Sequence, residues 1–178
     1  MFKSIFFVTQ IAIIAGVAAQ AEPLRLTINH PSNDSSVQIN SNDLKCLTEA
    51  VYFEARNQPV RGQEAVAYVI MNRVHSKHFP SSVCGVVHQG PRNGSAIKLH
   101  SCQFSYYCDG RSDNAPTKNI LEINAWKTAQ NVSEDVLTVK AEDLTKGSTY
   151  YHADSVSPFW SKTYTQVAVI GHHVFYVN

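Results

Sequence analysis

The stretch Leu47-Thr48-Glu49-Ala50-Val51-Tyr52-Phe53-Glu54-Ala55-Arg56 constrains this chain more than any other. Leu44, Leu47, Val51 and Ala55 recur at helical spacing and predict a helix that buries one face. Glu54 is set into that apolar background. A carboxylate on apolar surroundings costs free energy to keep ionised, so its pKa is pushed up, and a raised pKa suits a general acid near neutral pH. Spacing alone leaves Glu54 between this reading and an ordinary charge on a helix edge. Its helical neighbours, Ala50, Val51, Asn57 and Gln58, offer no charge partner.

The expected helix runs from a cap at Asn42 or Asp43 to about Arg56, and Asn57-Gln58-Pro59 stops it. A second helix is expected from Val60 to about Ser76, with Val60, Ala67, Ile70 and Val74 near one stripe, widened by Val66 and Val69. So wide a stripe implies a largely buried helix, and the short connection makes the pair a hairpin. Residues 81–115 are irregular, broken by Gly85, Gly90, Pro91, Gly94 and Gly110. A long loop region on a small domain is more often a binding surface than a spacer. A third helix is expected over Thr117–Asn131 with Ile120, Ile123 and Trp126 inward. Strands follow at Ser148–His152, Gln166–Ile170 and Val174–Val177, the last two forming a hairpin about Gly171-His172-His173. The sum is an α+β chain: a mostly helical single domain with a small antiparallel sheet.

The first residues read as a targeting segment. Lys3 gives a positive start, Ile5–Val17 is almost wholly apolar, and Ala19-Gln20-Ala21 gives a small-x-small cleavage pattern. Residues 1–21 are therefore expected to be a signal peptide. The apolar run is shorter than the ~20 residues a membrane span wants, and no other spanning candidate follows. Residues 22–41 read as a polar linker or arm, and 42–178 as the folded domain. Export places the protein in the periplasm or outside the cell. Cys46, Cys84, Cys102 and Cys108 form an even set, which in an exported chain favours two disulfides. Three pairings are open; Cys46–Cys108 with Cys84–Cys102 is preferred. No Cys-x-x-Cys pair points to structural zinc.

A formal net charge of +1 and the lack of a dense Lys/Arg stripe argue against nucleic acid as a partner. His152, His172 and His173 invite a metal reading, but adjacent strand residues face opposite ways, and no His-Glu-x-x-His helix exists. No metal and no cofactor are expected, and no Gly-x-Ser-x-Gly turn supports a serine nucleophile. A glycosidase usually sets a second carboxylate ~5–5.5 Å away for retention or ~6.5–9.5 Å for inversion. Glu49, Glu64, Asp109, Asp113 and Asp154 are available, yet none stands at helical spacing to share a face with Glu54. Phe104-Ser105-Tyr106-Tyr107, Tyr150-Tyr151-His152 and Phe159-Trp160 supply aromatic surfaces that suit sugar rings, and several also suit a core.

Ordered motifs then point to a family. Ala50-Val51-Tyr52-Phe53-Glu54-Ala55-Arg56, Gly62-Gln63, Ala65-Val66-Ala67 and Asn72-Arg73-Val74 resemble the SleB-type cell wall hydrolases, the spore-cortex-lytic enzyme family. So do Val83-Cys84-Gly85-Val86-Val87, Cys102-Gln103-Phe104-Ser105, Cys108-Asp109-Gly110, Tyr151-His152-Ala153, Ile170-Gly171, His173 and Phe175-Tyr176. The resemblance covers about Cys46 to Tyr176. It implies a monomeric lytic transglycosylase that cleaves the MurNAc–GlcNAc bond of peptidoglycan glycan strands, with Glu54 as the single acid and base. Gln103, Phe104, Ser105, Tyr151, His152 and His173 are the candidates for lining its glycan cleft. Such an enzyme uses the sugar's own 6-hydroxyl as nucleophile, which removes the need for a second carboxylate. Two other readings stand beside it: an N-acetylmuramoyl-L-alanine amidase and a non-catalytic peptidoglycan-binding module. The chain departs from the family pattern Ala-Arg-Gly-Glu at Asn57-Gln58. The turn loses a glycine, and Gln58 cannot transfer a proton.

Overall fold

The structure is a computed structural model and describes residues 38–178. The expected signal peptide and most of the expected arm lie outside the described residues. The chain runs α1 (Ser41–Ala55), α2 (Val60–His75), α3 (Val83–Val87), β1 (Arg92–Asn93), β2 (Ala96–Ile97), α4 (Ile120–Leu137), β3 (Tyr150–Ala153), β4 (Thr165–Ile170) and β5 (His173–Val177). Single 3₁₀ turns lie at Ser105–Cys108 and Phe159–Lys162. Among the described residues, no helix is long and apolar enough to cross a membrane.

α1 is the central element and packs against α2, α3 and α4. Leu47, Ala50, Val51 and Ala55 are wholly enclosed, as are Val66, Ala67, Val69 and Ile70 of α2. The cap of α1 falls on Asn40, not on Asn42 or Asp43. The Asn40 side chain accepts the N–H groups of Asn42 at 2.9 Å and Asp43 at 3.4 Å. Asn40-Ser41-Asn42-Asp43 offers four cap-forming residues in a row, and any of them satisfies the orphan amides of a first turn. Val60 is also outside the buried stripe, half exposed where α2 begins.

The third long helix lies later than the spacing suggests, at Ile120–Leu137. Asn119 caps it through the Leu121 amide at 2.9 Å. Its buried face is Ala129, Val132, Ser133 and Val136; Ile120 is exposed, while Ile123 and Trp126 are half-buried. The helix continues past Asn131, with the buried Ser133 satisfying its hydroxyl on the Ala129 carbonyl at 2.8 Å. Tyr52 of α1 donates its hydroxyl to Glu122, and Arg56 lies 3.4 Å from the same carboxylate, tying α1 to α4.

The sheet is antiparallel with strand order β3-β5-β4. β3 is set two residues later at its start than expected, over Tyr150–Ala153. Phe175 and Tyr151 pair across β5 and β3 and face Ala65 and Val69 of α2. Asn72 and Arg73, near the end of α2, hold this sheet in place. The Asn72 amide donates to Asp143 Oδ2 (3.1 Å), Thr145 Oγ1 (3.3 Å) and the Ser148 carbonyl (3.1 Å). Arg73 Nε donates to the Thr149 carbonyl at 2.7 Å. The residue before β3 is therefore bonded directly to α2.

The disulfides are Cys46–Cys84 and Cys102–Cys108, which overturns the preferred pairing of Cys46 with Cys108. α3 packs on α1 and brings Cys84 to Cys46, while Cys102 and Cys108 bracket the 3₁₀ turn. Spacing along the chain carries neither contact. Peptide mapping without reduction is expected to recover these two pairs. The Cys46–Cys84 bridge spans a sequence separation of 38 and the other a separation of 6. Loop entropy then predicts a loss of about 4 kcal/mol for the Cys46→Ala/Cys84→Ala double variant and about 2 kcal/mol for Cys102→Ala/Cys108→Ala, read by denaturant unfolding.

Candidate active site

Glu54 is half-buried near the end of α1, where the apolar stripe reaches the sheet. It opens onto a cavity of about 310 Å³ lined by Glu54, Arg73, Gln103, Phe104, Tyr151, His152, Ala153, Val156 and His173. Five of the six expected cleft residues are thus brought together with Glu54. Ser105 is not: it is exposed at the start of the 3₁₀ turn, outside the lining. Among the described residues that line the cavity, Glu54 is the only acid. Glu49 is buried on another side of α1, paired with Lys45 at 3.7 Å, and Asp154 is bonded to the His172 ring at 3.1 Å.

Burial raises the pKa of Glu54, and two neighbours hold that rise back. The first is the Tyr151 hydroxyl, which donates to Glu54 Oε2 at 3.4 Å. The second is the positive charge of Arg73. Sequence reading missed this arginine because it looked only along α1 for a partner. Arg73 is 3% exposed, its guanidinium lies 5.2, 5.5 and 5.9 Å from the ring centroids of Phe79, Phe104 and Tyr150, and its Nη1 has no hydrogen-bond partner among the described residues. A signal was available: Val66, Val69, Ile70 and Arg73 stand at i, i+3, i+4 and i+7, so the stripe that buries α2 must bury this cation too. Ala153, named only within a motif, and Val156 are the other lining residues that the sequence reading did not place in the cleft; Val156 is 55% exposed.

Tyr151 carries a hydroxyl whose pKa burial pushes well above the ordinary phenol value, with the Glu54 charge adding to the rise. It therefore acts as a proton donor in a hydrogen bond and stays neutral. Its ring packs edge-on against His173 at 5.1 Å and stacks on Phe175 at 5.8 Å. His173 is buried, and that burial lowers its pKa, so its ring is neutral at neutral pH. Its Nδ1 has no partner among the described residues. His152 lies on the cavity edge with both ring nitrogens engaged, Nδ1 with the Ala153 carbonyl at 2.8 Å and Nε2 with the Tyr176 hydroxyl at 2.9 Å. Since a carbonyl only accepts, Nδ1 carries the proton and Nε2 accepts from Tyr176. Phe104 is buried and its backbone follows Gln103, whose amide N–H donates to the Gln89 carbonyl at 2.8 Å. The Gln103 side chain is exposed and faces the cavity.

Cys46, Glu49 and His88 have atoms close enough to hold a cation, but the Cys46 sulfur is committed to its disulfide. The Glu54 cavity brings together one carboxyl of raised pKa, one buried guanidinium and several hydrogen-bonding side chains beside aromatic rings.

Known proteins share this arrangement of motifs and elements. The family described as Cell Wall Hydrolase matches residues 57–176, beginning just past Glu54. The spore cortex-lytic enzyme of Bacillus subtilis (strain 168) is 31% identical over 140 residues, which is 76% of this chain and 37% of that protein. The spore cortex-lytic enzyme of Oceanobacillus iheyensis is 31% identical over 150 residues, 82% of this chain and 45% of that protein. The chain thus spans less than half the length of these curated relatives. Among solved structures, the catalytic domain of the germination-specific lytic transglycosylase SleB from Bacillus anthracis superposes with a TM-score of 0.59 at 32% identity, covering 79% of this chain and 98% of that one. The catalytic domain of the Bacillus cereus SleB protein gives 0.58 at 32% identity, with coverages of 82% and 97%. With a family match across most of the described residues and a fold held in common with two SleB catalytic domains, the chain belongs to the cell wall hydrolase family.

Proposed function

We propose that this chain is an exported peptidoglycan-cleaving enzyme, a lytic transglycosylase that cuts the MurNAc–GlcNAc bond with Glu54 as its single acid and base. The observation that carries this reading is the cavity with a single carboxyl among its lining residues, its pKa raised by burial and its oxygen bonded to Tyr151. The names of the matched relatives, spore cortex-lytic enzyme and lytic transglycosylase, support the same class. In this reading residues 1–21 direct export to the periplasm or beyond and are removed. Residues 42–178 act as a monomer on glycan strands.

The mechanism follows from the order of charges. Protonated Glu54 donates its proton to the glycosidic oxygen as the C1–O bond breaks, and the GlcNAc side leaves as an alcohol. Positive charge develops at C1 of the muramoyl ring while negative charge develops on Glu54. Tyr151 and Arg73 stabilise that new carboxylate, the first by its hydrogen bond and the second by its field, in a low-dielectric site where such terms are large. The muramoyl 6-hydroxyl then attacks C1, and Glu54 takes the hydroxyl proton. Glu54 is reset, a 1,6-anhydro end is formed, and no water is consumed. The Tyr151 ring gives the sugar an apolar surface to rest on, and the exposed Gln103 offers an amide to its polar edge.

Mass spectrometry of digested peptidoglycan is expected to show 1,6-anhydromuramoyl ends. Reducing muramic acid ends alone would mean a muramidase, and loss of activity to a chelator with recovery on zinc would mean an amidase. Glu54→Gln is expected to lower the rate by roughly 10²–10⁴-fold. The same substitution is expected to stabilise the fold at neutral pH. Because the folded-state pKa of Glu54 lies above its unfolded value, ionisation favours the unfolded chain. The wild type therefore loses stability as pH rises from the unfolded pKa through the folded one, and Glu54→Gln does not. Thermal melts of the two proteins should coincide at low pH and diverge as pH rises, the variant melting higher. Tyr151→Phe removes a hydrogen bond that favours the carboxylate, so the alkaline limb of its activity profile is expected to move to higher pH. A limb that stays put or moves down would detach Tyr151 from Glu54.

A further inference from the structure

Gln58 stands where α1 gives way to α2, one helical turn past Glu54 in sequence, and it is 8% exposed. Its side-chain oxygen reaches 114 residues along the chain and accepts the His172 backbone N–H at 2.9 Å. The acceptor must be the oxygen, since an amide nitrogen only donates. Gly171, with φ +59°, lets the turn come this close: a Cβ there would stand 2.4 Å from the same oxygen. Two more contacts fix the Gln58 backbone. Its N–H donates to the Ala55 carbonyl at 2.8 Å, and its carbonyl accepts from the buried Gln63 amide at 3.1 Å. The residue after the clamped amide is His173, whose ring meets Tyr151, whose hydroxyl meets Glu54.

We propose that Gln58 is a positioning residue of the cleft, its side-chain oxygen clamping the β4–β5 turn so that His173 and Tyr151 are held against Glu54. The catalytic part of this inference rests on the transglycosylase reading; the clamp itself does not. Only the oxygen is used across the gap. The amide nitrogen reaches no further than Asn57 Oδ1, at 3.4 Å. A carboxylate would therefore serve as the acceptor, and an apolar side chain of similar size would not.

Amide hydrogen exchange of the 168–177 peptide and peptidoglycan cleavage are measured in parallel on wild type, Gln58→Leu and Gln58→Glu. Gln58→Leu is expected to speed exchange at His172 by roughly fivefold or more and to slow cleavage by a similar factor, the worth of one neutral hydrogen bond. Gln58→Glu is expected to restore both. Gly171→Ala drives a methyl onto the same oxygen from the turn's side and is expected to have both effects of Gln58→Leu. Normal exchange in Gln58→Leu and Gly171→Ala would overturn the clamp. Faster exchange with unchanged cleavage, or equal loss of cleavage in Gln58→Leu and Gln58→Glu, would overturn the positioning role. Exchange reads the clamp without reference to catalysis, so an inactive wild type would fail the functional reading alone.

Discussion

The bonding of β3 to α2 is the constraint on which the rest depends. A helical hairpin and a small sheet each have one apolar face, and burying those faces together fixes only that they touch. Asn72 and Arg73 fix where. Asn72 gathers Asp143, Thr145 and Ser148, and Arg73 takes the Thr149 carbonyl, so the strand begins at a set point along α2. Two residues later in the chain, Tyr151 arrives over Glu54. A slip of one residue would put Tyr150 or His152 there and turn Tyr151 to the other face. Such buried polar contacts are costly unless satisfied, and here they specify register.

The same arginine links the fold to its chemistry. Burial raises the pKa of Glu54, which favours the proton-bearing form and makes the carboxylate left after proton transfer costly unless other groups stabilise it. Arg73, enclosed by the rings of Phe79, Phe104 and Tyr150, supplies a charge that water cannot screen well. It sits close enough to be felt by Glu54 and makes no ion pair with it within 4.0 Å. The site thus balances burial against a cation and a phenol, the balance that the proposed use of one carboxyl as both acid and base calls for.

Much of this was legible in the chain itself. The apolar spacing of Leu47, Val51 and Ala55 located α1 but left Glu54 between two readings until the family motifs were added, and the hairpin about Gly171 placed two of the three strands. The boundaries were less legible where several residues could do one job, as with the four possible caps before α1 and the polar but helical Gln130–Asp135 segment of α4. Contacts between distant segments were not legible. Cys46 meets Cys84 because α3 lies on α1, and Gln58 meets His172 because Gly171 lets the turn approach. Neither fact has a local period. Arg73 lay between these cases: its burial could be read from the stripe of α2, its nearness to Glu54 could not. Gln58, which as a sequence fact cannot transfer a proton, is in the structure the acceptor for the His172 backbone N–H.

The central claim is that burial among its neighbours raises the pKa of Glu54 above that of an ordinary glutamate. A ¹³C titration of the Glu54 side-chain carboxyl, assigned by comparison with Glu54→Gln, measures this directly. The account requires a midpoint above that of an ordinary glutamate, about 4.3. A midpoint at or below that value would show a carboxylate already ionised before substrate arrives, and would contradict the account.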